Sequence, residues 1–182
     1  VGTAGVYATV DGTLATGVSL LGAVADAGSG ALVFPWWQVP GTAPGTRFDQ
    51  FPGAAAVCDG EFIAFKGNYT DGTGKTGVFY RQVMAGEAGG TAAIELVANS
   101  DTPVPNPGAC APDTTFGSTA PPSAAGNRMV FVGFDNEDDP TCGGVYMAPL
   151  QPGSSLTTLV GLENKVPGQG KETFTQLGEG LS

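Results

Sequence analysis

The chain of 182 residues contains no histidine, three cysteines and only 7 lysines and arginines. Without His there is no Ser–His or Cys–His nucleophile pair, no imidazole general base and no imidazole metal ligand. Cys58, Cys110 and Cys142 lie far apart with no C-x-x-C spacing, so a zinc or iron–sulfur set is not expected. The few cations face 17 carboxylates, a formal charge of −10. A phosphate-binding face cannot be assembled from that balance, which excludes nucleic acid as the main partner and argues against docking on anionic lipid. No apolar run approaches the roughly 20 residues of a spanning helix. The first residue is Val and no leader pattern precedes it, so the chain is read as a processed form or as part of a longer one.

What is abundant is Gly and Pro, 30 and 14 residues. Together they make up about a quarter of the chain, close to the level at which disorder is suspected. Against disorder stand a hydrophobic share of 41%, ten Phe, four Tyr and two Trp, with only 13% charged residues. Long helices are excluded by this composition, and a fold made of short strands and turns is expected.

Internal similarity organises the sequence. Gly5-Val6-Tyr7, Gly77-Val78-Phe79 and Gly144-Val145-Tyr146 recur at intervals of roughly 70 residues. Each is followed by an apolar pair: Leu32-Val33 after an insertion, then Leu96-Val97 and Leu159-Val160. Next comes a Val-Pro turn, at Val39-Pro40, Val104-Pro105 and Val166-Pro167, and then a Phe, at Phe48, Phe116 and Phe174. A Phe-x-Gly strand closes the pattern twice, in Phe62–Gly67 and Met129–Gly133. The units read as 5–76, 77–143 and an incomplete 144–182. Each predicts four short antiparallel strands, with hairpin loops over Asn68–Thr76 and Asp135–Gly143. The predicted class is all-β, a single array of propeller-like blades or a sandwich built from the same units.

This order of motifs resembles tandem-repeat, β-propeller-like proteins of bacterial secreted and cell-surface proteomes, whose units read VAFxG…GVY…LV…PVPG…F. The resemblance spans nearly the whole chain. It implies a fold and an extracellular, periplasmic or cell-surface location, but no chemistry. This chain departs from it in having only two complete Phe-x-Gly strands.

Several residues are candidates for a site. Asp135, Asn136, Asp138 and Asp139 crowd oxygen ligands into one loop, a candidate Ca²⁺ site beside the plainer reading of a solvated acidic turn. Calcium is the only cofactor so suggested. Trp36 and Trp37, between Pro35 and Pro40, could anchor a protein, stack on a sugar ring, or cap an open sheet face. Asn68-Tyr69-Thr70 is an N-glycosylation sequon in a predicted exposed loop, or simply a polar loop. Gly72–Gly77 resembles the tail of a phosphate-binding loop, but Tyr69 replaces its first glycine and a strand is predicted to follow. In an up-and-down sheet the loops holding Cys110 and Cys142 emerge at one end and Cys58 at the other. A Cys110–Cys142 disulfide closing a loop of about 30 residues is the pairing this allows, against three free buried thiols.

Two function classes follow. One is a non-enzymatic structural or partner-binding module that associates with other chains, or with itself, through unfilled sheet edges. The other is a carbohydrate-binding or carbohydrate-active module, for which Asp59, Glu61, Asp71 and the 135–139 run are the supply of paired carboxylates.

Overall fold

The computed structural model describes residues 4–10, 12–20, 24–25, 32–33, 38–59, 61–83, 92–105 and 110–178. It is all-β: antiparallel sheets, none closed into a barrel, and no helix among the described residues. The chain begins with a hairpin of β1 (Gly5–Val10) and β2 (Thr13–Ser19), followed by a two-residue pair, β3 (Val24–Ala25) and β4 (Leu32–Val33). A first five-stranded sheet is made by β5 (Phe48–Gln50), β6 (Ala56–Cys58), β7 (Phe62–Asp71), β8 (Thr73–Gln82) and β9 (Ile94–Asn99). Its order is β5-β7-β8-β9, with β6 also paired to β7. The second consists of β10 (Ser118–Thr119), β11 (Ser123–Ala125), β12 (Arg128–Phe134), β13 (Gly143–Pro149) and β14 (Thr157–Gly161). Its order is β10-β12-β13-β14, with β11 also on β12.

The two sheets agree to the residue at their motifs. Phe65 lies opposite Phe79 and Gly67 opposite Gly77; Phe131 lies opposite Tyr146 and Gly133 opposite Gly144. A Cβ on Gly67 would stand 2.5 Å from the Phe48 ring, and one on Gly133 would stand 2.7 Å from the Phe116 ring. The glycine of Phe-x-Gly is therefore the floor on which the preceding Phe lies. That Phe meets the ring of the next strand edge-on: Phe48–Phe79 at 4.9 Å and 87°, Phe116–Tyr146 at 5.1 Å and 82°. Such pairs contribute roughly 0.5–1.5 kcal/mol each beyond the area they bury.

Each Val-Pro turn is tied to its Phe in one way. The amides of Val39, Val104 and Val166 donate to the carbonyls of Thr46, Thr114 and Glu172, each two residues before Phe48, Phe116 or Phe174. The strand after each Gly-Val-Tyr/Phe also carries one irregularity, between Val6 and Tyr7, Val78 and Phe79, and Val145 and Tyr146.

Two expectations are corrected here. Leu32-Val33 pairs with Val24–Ala25 and not with β1; the strand beside β1 is β2, where Val18 faces Val6 as Ala98 faces Val78. The sequence signal for it is Asp11-Gly12, a two-residue hairpin dipeptide, and Gly12 adopts φ +77. Residues 68–76 are not a loop, because β7 and β8 pair up to Asp71–Thr73 and turn at Gly72, φ +73. The first sheet spans residues 48–99 and the second 118–161.

The core follows the alternation of the strands. Ile63, Phe65, Tyr69 and Phe79 on one face of the first sheet pack with Ala15, Val18 and Val39. Its other face brings Ala64, Val78, Tyr80 and Ala98 against Met129, Phe131, Tyr146 and Ala148 of the second sheet. The far face of the second sheet holds a smaller cluster of Val132, Phe134 and Leu162, with Phe174 and Leu177 partly buried on it.

Candidate functional site

The acidic loop between β12 and β13 is organised by its own amides. Asp135 accepts from the Thr141 and Cys142 backbone N–H groups, both at 2.9 Å, and from the Thr141 hydroxyl at 2.5 Å. Burial alone would raise its pKa, but these hydrogen bonds outweigh that and hold the carboxyl below the usual carboxylate value. Asn136 Oδ1 accepts from the amides of Asp138 (3.0 Å) and Asp139 (3.4 Å), an Asx turn. Two of the four candidate Ca²⁺ ligands thus have polar partners within the protein, while Glu137, Asp138 and Asp139 are exposed.

Cys110 and Cys142 form a disulfide with Cα atoms 5.9 Å apart, and Cys58 is free and buried. Burial, and next the Asp59 charge, push the Cys58 thiol up, which makes it a poor nucleophile. Cys110, Asp135 and Cys142 bring ligand atoms within 4.8 Å of one another, but the joined sulfurs offer no thiolate.

Three of the sugar-chemistry carboxylates are spread along one strand. Asp59 and Glu61 precede β7 and Asp71 ends it, roughly 30 Å away along a strand of this length. Asn68 sits inside β7, facing Gln50 on one side and Thr76 on the other, with a half-buried side chain. Its Oδ1 is buried without a hydrogen-bond partner, and the residue lines a polar cleft of about 370 Å³ with Asp49, Lys66, Lys75 and Glu137. Lys75, from the segment resembling a phosphate loop, lies in β8 and pairs with Asp101 at 2.7 Å, so no helix terminus faces the cleft. Trp36 and Trp37 lie outside the described residues.

A further candidate surface is the outer side of the first hairpin. Tyr7 occupies the position held by Phe79 and Tyr146, yet it is 43% exposed where they are 0% and 1%. Leu14, which lies across from Thr9 on the same hairpin, is 64% exposed. Both counterparts of β1 are flanked on two sides, by β7 and β9 or by β12 and β14; β1 carries β2 alone among the described residues. The hairpin is nevertheless firmly seated. Fully buried Arg81 donates to the carbonyls of Thr16 (2.7 Å), Gly17 (3.4 Å) and Ala92 (2.7 Å), fastening β8 to β2.

No helix of the described residues is long and apolar enough to cross a membrane. The comparisons with protein-family models, with curated proteins and with solved structures each returned no match.

Proposed function

We propose that the chain is a non-enzymatic structural or partner-binding module made of tandem, propeller-like units, serving as part of a larger assembly outside the cytoplasm: extracellular, periplasmic or at the cell surface. One observation carries the reading: Tyr7 is 43% exposed on a strand whose two counterparts are paired on both sides and buried. A strand edge that no described strand pairs, beside an exposed aromatic, is a template for another chain or another copy. The disulfide supports an oxidising location. Hydrogen exchange tests the reading. In dilute protein the amides of β1 are expected to exchange about 100-fold faster than those of β8 and β13. Equal protection of all three in a monomer would overturn it.

A carbohydrate-binding reading has one observation in its favour, a polar cleft lined by Asn68, whose Oδ1 lacks a hydrogen-bond partner. A glycan array separates the two. Binding that is lost in Asn68→Ala would favour the sugar, and a blank array the protein partner.

A further inference from the structure

Resting on the partner-binding reading, we propose that the edge of β1 that no described strand pairs is the docking site for one kind of strand. It is an extended, apolar-x-Phe-x-Gly segment, antiparallel to β1, with its Gly opposite Gly5 and its Phe opposite Tyr7.

The register comes from the molecule itself. Twice it pairs a Gly-Val-Phe/Tyr strand with a Phe-x-Gly strand, and twice the Gly faces Gly and the ring faces ring. The first hairpin reproduces the register of the receiving side. Gly5 faces Ser19, Val6 faces Val18, and the irregularity falls between Val6 and Tyr7, as it does between Val78 and Phe79 and between Val145 and Tyr146. The receiving ring is also already in place. A Cβ on Gly5 would meet the Tyr7 ring at 2.8 Å, as one on Gly77 would meet the Phe79 ring at 2.9 Å.

Among the described residues, only the donor strand has no counterpart beside β1. In the complete sheets the donor ring is Phe65, 5.8 Å from Phe79, or Phe131, 5.7 Å from Tyr146. The site continues an existing interface, because the inner side of the same hairpin is packed, through Ala15 and Val18, into the core that contains Phe65 and Phe79. Charge does not oppose it: residues 4–10 carry no charged side chain in a chain of net −10. The ladder supplies affinity, and the Phe and Gly positions supply selectivity.

A capped peptide of residues 61–70 is the probe, added to the full chain. Saturating peptide is expected to slow amide exchange in residues 5–9 by at least ~10-fold and to leave β8 and β13 unchanged. The same peptide with Phe65→Ser and Gly67→Val is expected to give no protection. Tyr7→Ser in the full chain should weaken binding about ten-fold with little change in melting temperature. Equal protection by both peptides, or protection at other strands, would overturn the proposal. So would pairing of β1 with β1 of a second copy that the peptide fails to displace. A covalent form removes peptide solubility from the question: residues 61–72 fused ahead of Gly5 should raise the melting temperature by about 5 °C or more. No rise would overturn the proposal. An open β1 that accepts neither form of the strand defeats this inference alone. A β1 protected in the isolated monomer defeats the partner-binding reading beneath it.

Discussion

The tips of the two central hairpins stand at the same place in their sheets and are held by different chemistry. Between β7 and β8 the ladder continues to Asp71–Thr73, and the tip is tied sideways by Lys75, whose Nζ donates to both Asp101 oxygens at 2.9 and 2.7 Å. Between β12 and β13 the ladder stops at Phe134–Gly143. Residues 135–142 are then gathered by the Asp135 carboxylate and locked by the Cys110–Cys142 disulfide. Lower in the same hairpins, the glycine floor and the ring trio coincide in both sheets. The difference separates two kinds of constraint. The interior admits few arrangements because a displaced ring has no other space to fill, whereas an exposed tip needs only its backbone groups satisfied.

The interior half of this comparison predicts the largest effects. Gly67→Val and Gly133→Val should each cost about 3 kcal/mol in urea unfolding, since the added carbons displace Phe48 or Phe116 from a buried face. Gly5→Val should cost under about 1 kcal/mol, because the side chain it displaces, Tyr7, is exposed. Equal costs at all three positions would mean that the first hairpin is as closed as the two sheets.

The tips should differ next. Cys110→Ser with Cys142→Ser removes a link between residues 32 apart and is expected to cost about 3.5 kcal/mol on the chain-entropy account. Lys75→Met at the other tip should produce only a small shift in the melting temperature, and one that vanishes at about 0.5 M salt.

Alkali should act through the interior. Burial, and next the Glu95 charge, push the Tyr80 hydroxyl up to about 12 from 10.0, and burial raises Tyr146 further, followed by the charges of Glu163 and Asp135. Above the unfolded value the unfolded chain gives up these protons and the folded chain keeps them. Stability should therefore be intact below pH 10 and fall as pH rises toward 12. Tyr80→Phe should flatten part of that fall and, by removing a buried hydroxyl that has no partner, cost little at neutral pH. A slope unchanged in Tyr80→Phe would remove Tyr80 from the account.

Acid and calcium should act least, and only at the second tip. The depressed Asp135 carboxyl adds stability that is present above its ordinary value of 3.8 and lost as pH falls through its lower folded value. Asp135→Asn should shallow the acid limb of the stability curve. Excess chelator or millimolar Ca²⁺ is expected to move the melting temperature by less than about 1 °C, because Asp135 and Asn136 already accept from the loop's amides. A rise of several degrees with Ca²⁺, absent in Asp138→Asn with Asp139→Asn, would make the tip a cation site.

The sequence by itself determined the all-β class, the positions of the Gly-Val-Tyr/Phe and Phe-x-Gly strands, and the Val-Pro turn before each Phe. These are legible because a strand's pleat, a turn's φ and a glycine's missing Cβ act over a few neighbouring residues. Tertiary structure decided what depends on which faces meet. Leu32-Val33 looks like Leu96-Val97 as a dipeptide, but the place beside β1 went to β2, which begins just after Gly12. Asn68 lies in a strand because the ladder runs past it to Gly72, and the Asp135 oxygens turn to amides brought near by the β12–β13 fold. Gly5-Val6-Tyr7 reads like its two counterparts, yet Tyr7 is exposed while Phe79 and Tyr146 are buried. Motif spacing places a strand; only the packed neighbours determine whether its edge and its ring are covered.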